Sequence, residues 1–429
     1  MDIFMIVIFA ILGFFGGCLC RIQTKTYLNS GSIFCFIWGI TGIFSNMGLY
    51  GVYLPSGIVN IAMLLGVVLF TIVYSALSHN RKINAQYISE MQCEIKYKIV
   101  YVINVLVFIY IIPFFVRALV IIRTEGFMYL RSIAGIESQE IGTTNLSNLI
   151  LQVFCYPAII ATFIIGCILL FQGEKESRKL LIMSFVNLTL YCLTNAARNG
   201  FIVLVVIFLL CYAKYYRVQR KERIQVLSKK EKVMTSLLII ICLGVLLWIS
   251  NERSSEGDSI IRTAYLYYFC GPAYLSQLLD NLLTYKINTT FLYGFSTFGF
   301  VWNLAALFFN RIGFSLINSD FIINSTLACR SLTIGTNVKL NAMSTVFFPF
   351  LMDWGYFGLV IGPILLAIFS YYIDKKAYWN NTIRWHAIEA FWLYSIYRTV
   401  FKWDGISVSF FFVLFFIIVF SKKEVIYED

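Results

Sequence analysis

Arg198 lies between two apolar runs of this 429-residue chain, Leu180–Ala197 and Asn199–Ala213, each barely long enough to cross a bilayer. Three Lys and Arg residues precede the first run within 175–179, and eight follow the second within 214–232. Because cations beside spans collect on the cytoplasmic side, both flanks should face the cytosol. The pattern predicts a tight helical hairpin with Arg198 at its tip, on the opposite side of the membrane.

The tip of this predicted hairpin is suited to anion binding. A guanidinium at that depth costs about 2.5–3.5 kcal/mol unless it meets water or an anion. The second helix begins at Asn199, so its free backbone N–H groups and the positive end of its dipole lie close to Arg198. We therefore expect Arg198 to form half of an anion site. The alternative is an interfacial arginine that anchors to lipid headgroups.

Three further arginines outside the predicted cytoplasmic loops are candidates for binding phosphate, namely Arg262, Arg330 and Arg398. The planar guanidinium binds phosphate oxygens at two points, which the lysine ammonium does not. Each of these three arginines also has an explanation that involves no phosphate binding. Arg262 fits a surface position on a membrane-parallel helix, and Arg330 lies in a polar loop. Arg398 stands six residues before Asp404, so the two charges can simply neutralise each other.

Three carboxylates are candidate catalytic residues: Asp353, Glu137 and Glu252. Asp353 lies at the head of an apolar run, where an ionisable group is a functional candidate by default. An ion pair with Arg398 explains Asp353 equally well. Glu137 and Glu252 lie in polar loops, where such residues are more often solvated than catalytic.

Aromatic residues make up 17% of the chain, and most of them are expected to face lipid or the membrane interfaces. Tyr265, Tyr268 and Trp302 differ, because they lie in the segment 251–345, which is predicted to be an outer loop. A flat apolar face with a polar edge suits sugar rings as well as headgroups. These three residues are therefore candidate sugar-binding residues.

The charge and the missing motifs exclude several classes of function. The net charge of +12 lies mostly in predicted cytoplasmic loops, which indicates membrane anchoring and not nucleic-acid binding. Only His79 and His386 are present, and both are placed on the cytoplasmic side. No phosphate-binding glycine loop occurs, and no cofactor or metal is expected. A reaction on the outer side must therefore draw its energy from a substrate that is already activated.

The elements that position these residues are predicted to be membrane helices, since 59% of the residues are hydrophobic and 13% charged. We expect an all-α polytopic fold with eleven spans. These are Ile3–Cys20, Ser32–Val52, Gly57–Leu77, Ile99–Ile122, Leu149–Phe171, Leu180–Ala197, Asn199–Ala213, Val233–Ile249, Val346–Ile373, His386–Phe401 and Ile406–Phe420. This arrangement places 22 of the 34 Lys and Arg residues inside, with the N-terminus outside and the C-terminus in the cytosol.

The chain is predicted to be one membrane domain, 1–429, with two outer loops at 123–148 and 251–345. Within the longer loop, Ile260–Leu279 predicts an amphipathic helix that Gly271-Pro272 interrupts. Phe291–Phe309 predicts an interfacial or partly re-entrant helix, because one more crossing would reverse the charge bias that follows. A loop this long with its own helices is expected to have a function beyond connecting two spans.

Three stretches of the chain resemble the O-antigen polymerases, which join lipid-linked oligosaccharide repeat units. TNAARNGFIVLVVIFLL is similar to the family's small-residue–Arg–Gly turn, with Asn199 inserted before Gly200. YLYYFCGPAYLSQL with YGFSTFGFVWNL is similar to the start of its long periplasmic loop. NAMSTVFFPFLMDWGYFGLVIGPILLAIFSYYI is similar to the return of that loop into the membrane, with Asp353 and Gly355 in place.

The resemblance implies a glycosyltransferase C-like enzyme of the bacterial inner membrane, acting at the periplasmic face. The implied substrates are undecaprenyl-pyrophosphate-linked oligosaccharides, joined en bloc without a cofactor for lipopolysaccharide biosynthesis. Membrane lipids and a chain-length regulator are implied partners. Related O-antigen ligases carry a periplasmic histidine that is missing here, which favours a polymerase. A flippase or transporter of lipid-linked oligosaccharides and a ligase-like glycosyltransferase remain the alternatives.

Overall fold

A computed structural model of the protein describes residues 1–24, 26–79, 94–134, 138–197, 199–216, 244, 260–280, 291–314, 331–340 and 344–422. The described chain is mostly helical, as the apolar runs predict, with one short antiparallel hairpin. Its α-helices are α1 (Ile3–Thr24), α2 (Ser30–Ser45), α3 (Gly57–Ser78), α4 (Tyr97–Thr124), α5 (Phe127–Ile133), α6 (Asn145–Ile150), α7 (Tyr156–Phe171), α8 (Ser177–Thr194), α9 (Asn199–Cys211), α10 (Ile260–Phe269), α11 (Gly271–Leu278), α12 (Gly299–Arg311), α13 (Phe347–Trp354), α14 (Gly358–Asn380), α15 (Ile383–Arg398) and α16 (Val408–Phe420). The strands are β1 (Leu332–Gly335) and β2 (Val338–Leu340).

Five helical stretches are long and apolar enough to cross a membrane: Ile3–Thr24, Gly57–Ser78, Tyr97–Thr124, Asn145–Phe171 and Phe347–Asn380. Only 28% of the apolar window of α1 and 22% of that of α4 are buried within the protein. Their remaining large apolar side chains face outward, as lipid-facing helices do and as helices of soluble proteins do not. The protein is therefore membrane-embedded. Each other predicted span coincides with a shorter or less apolar helix, except 233–249, of which the structure describes only residue 244.

The chain forms two compact units. The first, which we call unit 1, consists of Met1–Asn84, Ser259–Lys375 and Ser395–Phe411. Its helices α1 and α2 approach closely at Gly13 and Gly39, where a Cβ atom on either residue would lie 2.7 Å from the other residue's Cα. Helix α2 ends at Ser45, earlier than the predicted span to Val52. The apolar run continues, but positive φ angles at residues 48, 50 and 51 are incompatible with a helix.

The long loop of unit 1 contains the amphipathic helix predicted at Ile260–Leu279, as α10 and α11, but only part of the helix predicted at Phe291–Phe309. Helix α12 begins at Gly299, and the residues before it, 291–298, form a turn. Helices α10 and α11 are separated at Cys270, with Pro272 in the first turn of α11, where a missing N–H costs nothing. The backbone N–H of Ser56 donates to Ser276 Oγ of α11 at 2.9 Å. Strand β1 continues the docking, since Tyr53 N–H donates to the carbonyl of Ile334 at 2.8 Å. The loop is thus packed on the α2–α3 connection.

A glycine breaks the helix at the return of the long loop into the membrane. Helix α13 ends at Trp354, and the next residue, Gly355, has a φ of 57° and a ψ of −144°, which are accessible essentially only to glycine. The chain then makes a 3₁₀ turn and continues as α14. The break separates Asp353 on α13 from the long apolar helix that comes next.

The second unit, unit 2, consists of Ala85–Asp258, Lys376–Tyr394 and Phe412–Asp429. Helix α7 is apolar all round and nearly every one of its side chains is buried. Polar residues join the helices beside it: Asn104 of α4 donates to Thr162 Oγ1 of α7 at 2.8 Å, and Asn187 of α8 donates to the carbonyl of Asn104 at 3.0 Å. Such hydrogen bonds hold helices together where water is absent.

The predicted hairpin is present in unit 2 as helices α8 and α9. The chain reverses at Ala196, which has a φ of 46°, and the N–H of Ala197 donates to the carbonyl of Cys192 at 2.8 Å. A Cβ atom on Gly200 would lie 2.5 Å from Cys192 Sγ, so a larger residue would require the Cys192 side chain or the helices to shift. The prediction of two helices is confirmed, with the break between Thr194 and Asn199; Arg198 itself lies outside the described residues. Which side of the membrane the turn faces stays a prediction.

Candidate functional site

Six of the ten predicted site residues lie in unit 1 and are described by the structure. They are Arg262, Tyr265, Tyr268, Trp302, Asp353 and Arg398. The other four, Arg198, Glu137, Glu252 and Arg330, lie outside the described residues. The candidate site therefore consists of groups from unit 1, and its carboxylates decide what chemistry it can perform.

Asp353 is fully buried and binds backbone N–H groups with both carboxylate oxygens. Ser296 N–H donates to Oδ1 at 2.8 Å and Thr297 N–H donates to Oδ2 at 2.6 Å. The carbonyl of Asp353 also accepts the N–H of Tyr293 at 3.0 Å. The carboxylate thus anchors the turn before α12 to α13. A general base needs a free oxygen that reaches substrate, so this geometry favours a positioning role over the predicted catalytic one.

The predicted alternative of an Asp353–Arg398 ion pair is wrong, because Arg398 pairs with Asp404. Arg398 Nη1 lies 2.6 Å from Asp404 Oδ1, and the two side chains are only 16% and 11% exposed. Burial raises the pKa of the Asp404 carboxyl, and the nearby Arg398 charge acts against that shift. Asp404 Oδ2 is buried and has no hydrogen-bond partner in the described part of the chain.

The Asp404 segment is held by the same turn that Asp353 anchors. Trp403 Nε1 donates to the carbonyl of Thr297 at 2.7 Å. Asn303 of α12 donates through Nδ2 to the carbonyl of Ile406 at 2.9 Å. Asp353 therefore acts on the position of Asp404 through two hydrogen-bonded steps. A single chain of contacts connects the return helix, the long loop and the Arg398–Asp404 pair.

Tyr268 and Arg398 both lie next to the aromatic ring of Phe401. The ring of Tyr268 lies 5.8 Å from that of Phe401 in an edge-on arrangement and 6.2 Å from that of Tyr397. Arg398 Cζ lies 5.8 Å from the centroid of the same Phe401 ring. The predicted sugar-binding residue Tyr268 and the predicted phosphate-binding residue Arg398 are thus brought together, with Asp404 as the carboxylate beside them.

Tyr265 has a structural role that its sequence position does not indicate. Its hydroxyl donates to the carbonyl of Phe44 at 2.8 Å and accepts the N–H of Leu49 at 3.1 Å. Burial raises the pKa of Tyr265 to about 12. The hydroxyl caps the irregular end of α2 and is engaged on both sides, which does not favour the predicted contact with sugar.

Trp302 and Arg262 lie at the more accessible edges of unit 1. Trp302 is 36% exposed, and one face of its ring stacks on Phe295 with centroids 4.1 Å apart. A ring supported on one face and accessible elsewhere is compatible with a sugar platform. Arg262 is partly exposed on α10, three residues before Tyr265.

Asp404 is a candidate site residue that the sequence alone does not single out. Its spacing from Arg398 indicates only that the two charges neutralise each other. A near-buried acid with a raised pKa and a specific charged partner is a functional-site candidate on physical grounds. The signal in the sequence is an aspartate between two apolar runs, in TVFKWDGISV.

Within the described part of the chain, no three His, Cys, Asp or Glu side chains lie close enough together to hold a metal ion. Comparison of the sequence with family models, of the chain with curated proteins and of the fold with solved structures finds no match. What these residues can do is therefore argued from their geometry and from the sequence.

Proposed function

We propose that this protein is an inner-membrane glycosyltransferase that polymerises oligosaccharide repeat units carried on undecaprenyl pyrophosphate at the periplasmic face. The observation that carries the proposal is the near-buried Arg398–Asp404 pair beside Tyr268, in the unit that contains the long loop. Support also comes from the membrane-embedded helices and from the sequence resemblance to O-antigen polymerases.

The proposed reaction uses the diphosphate of the donor as leaving group. A hydroxyl oxygen of the acceptor sugar forms a bond to C1 of the donor glycan, and the bond from C1 to the phosphate oxygen breaks. The electron pair leaves with undecaprenyl pyrophosphate, and the hydroxyl proton passes to a carboxylate. Fixed cations in a poorly hydrated site stabilise the charge that develops on the diphosphate.

Arg398 and Asp404 suit two steps of this reaction. In the resting protein each neutralises the other. We propose that a diphosphate group draws Arg398 away, since a guanidinium binds phosphate oxygens at two points. Asp404 then loses its cation while it stays buried, which makes the carboxylate a better proton acceptor. Tyr268 and Trp302 are the proposed contacts to sugar, and Arg262 a further phosphate contact.

The decisive experiment is a reconstituted assay with purified protein in liposomes and a synthetic diphosphate-linked repeat unit, without nucleotide. The wild type should form a ladder of products. Asp404→Asn and Arg398→Met should each lower the rate by at least tenfold, whereas the exposed Arg123→Gln should not change it. A wild-type ladder that survives Asp404→Asn at full rate would remove this pair from the mechanism.

Arg198 is tested in the same assay, because its predicted role depends on sequence alone. Arg198→Ala should stop the products at one repeat unit, and Arg198→Lys should also be poor if two-point binding matters. A normal ladder from Arg198→Ala at normal protein levels would exclude the residue. Transfer of intact lipid-linked units across the liposome membrane, without any polymer, would instead identify a flippase.

A further inference from the structure

A cluster of buried ionisable groups lies in unit 2 and includes none of the predicted site residues. Glu389 and His386 are one turn apart on α15, with side chains 6% and 4% exposed, and Lys214 contributes a side chain that is 15% exposed. Lys214 Nζ contacts Glu389 Oε2 directly, and His386 Nδ1 lies 3.5 Å from the same oxygen. One carboxylate oxygen is therefore shared by an ammonium and an imidazole.

The hydrogen bonding of His386 leaves one ring nitrogen ready to accept a proton. Its Nε2 lies 3.0 Å from Asn381 Oδ1, which can only accept, so Nε2 carries the proton of the neutral ring. The lone pair of Nδ1 then faces the carboxylate oxygen, and Nδ1 has no hydrogen-bond partner among the described residues. Two acceptors face each other there. A proton on Nδ1 would convert this contact into a charge-assisted hydrogen bond.

The neighbours of His386 are a carboxylate, an ammonium and an aromatic ring. The charged groups that act on His386 in the described chain are Glu389 and Lys214. The Tyr215 ring packs edge-on against the imidazole with centroids 5.7 Å apart. Lys214 and Tyr215 lie in a π-helical turn, Tyr212–Tyr216, directly after α9. Such turns deviate from the regular helix and often occur at functional sites.

We propose that the Lys214–Glu389–His386 cluster is a proton-binding site, which takes up a proton on His386 Nδ1 in competition with Lys214 for Glu389 Oε2. The bound ligand is a proton from the aqueous phase, and its uptake adds one positive charge to a buried pair. Either Lys214 withdraws from the oxygen or both cations share it. Since Lys214 follows α9, whose first residue is next to Arg198, the proton would act on the helix that leads to the predicted substrate turn.

Histidine NMR tests this site directly, because the chain contains only two histidines. In ¹³C-histidine-labelled protein in micelles, His79→Gln leaves a single imidazole signal, that of His386. We expect this signal to move as the pH falls from about 8 to about 4, because histidine ordinarily changes charge between about pH 5 and pH 8 and burial disfavours the charged ring. A His386 signal that does not move across this range would overturn the proposal.

Two further variants in the His79→Gln background test the competition. Lys214→Met removes the competing cation, and the His386 midpoint should move to higher pH by about one unit or more. Glu389→Gln removes the anion, and the midpoint should move to lower pH. A midpoint that stays unchanged in Lys214→Met, or that falls, would also overturn the proposal. The readout is independent of catalytic activity, so it does not depend on the proposed function.

Discussion

Asp353 accepts the backbone N–H of Thr297 at 2.6 Å, and Thr297 in turn accepts the indole N–H of Trp403 through its carbonyl at 2.7 Å. A buried carboxylate on the return helix is thereby connected to the residue next to Asp404. The turn before α12 in the long loop is thus held by two hydrogen bonds, one to Asp353 and one to Trp403. The segment that carries Asp404 is held by that turn.

Replacing Asp353 should destabilise unit 1 and affect the proposed polymerisation only indirectly. Asp353→Ala leaves the buried N–H groups of Ser296 and Thr297 without an acceptor, at a cost of about 1–3 kcal/mol each. Asp353→Asn keeps one oxygen acceptor and should lose less. Thermal unfolding in detergent measures the difference. If Asp353→Asn unfolds as the wild type does but abolishes polymerisation, the carboxylate has a direct catalytic role after all.

The Arg398–Asp404 pair should show strong coupling in a double-mutant cycle. Arg398→Met leaves a near-buried carboxylate without its cation, which costs about 3–5 kcal/mol for buried pairs. Arg398→Met combined with Asp404→Asn removes both charges and should be more stable than Arg398→Met alone. Denaturant unfolding of the four proteins measures the coupling. Additive effects of the two substitutions would contradict the ion pair.

The pH dependence of stability should carry the signature of Asp404. Its pKa is raised on folding, mainly by burial, so the folded protein binds more protons than the unfolded chain above the ordinary aspartate range. The contribution of Asp404 to the free energy of unfolding is therefore greatest at low pH, where the carboxyl is protonated in both states. It falls as the pH rises from the pKa of the unfolded chain to the raised pKa of the folded protein. The free energy of unfolding of the wild type, minus that of Asp404→Asn, should decrease as the pH is raised from about 3 to 7. An increase across this range would contradict the raised pKa.

Tyr265→Phe should loosen the attachment of α10 to the end of α2. The substitution keeps the ring but removes the hydroxyl between Phe44 and Leu49, and leaves their backbone groups without this partner at about 1–3 kcal/mol in total. The matched control is Tyr293→Phe, because the Tyr293 side chain is 73% exposed. Thermal unfolding should separate the two variants. Equal melting temperatures would mean that the Tyr265 hydroxyl contributes nothing to the fold.

Gly200→Ala should push α8 and α9 apart at the predicted substrate turn. The added Cβ would lie 2.5 Å from Cys192 Sγ and 3.2 Å from Leu188 Cδ1, and overpacking of this kind costs about 1–3 kcal/mol. Gly57→Ala is the control, since nothing lies within 4 Å of a Cβ atom there. Melting temperatures measure both. If the melting temperature of Gly200→Ala equals that of the wild type, the two helices separate at little cost in free energy.

Local signals in the amino-acid sequence specify the helices of this protein and several of their ends. Apolar runs of span length predict α1, α3 and α4, because a membrane helix must cover a fixed thickness with apolar side chains. The break before Asn199 is predicted by the cations on both flanks of the apolar stretch, which require the chain to turn back. The break at Cys270 is predicted by Gly271-Pro272. Each of these signals lies within one element, so a single sequence suffices to find it.

The partners of the polar residues, by contrast, depend on how the helices pack. Asp353 meets the backbone of Ser296, 57 positions away, and Tyr265 meets the carbonyl of Phe44, 221 positions away. Lys214 meets Glu389 across another large separation in the chain. Apolar periodicity places a helix in the membrane but sets neither its neighbours nor its rotation about its axis. Which carboxylate is satisfied by backbone N–H groups, and which one faces an arginine, is therefore visible only in the folded chain.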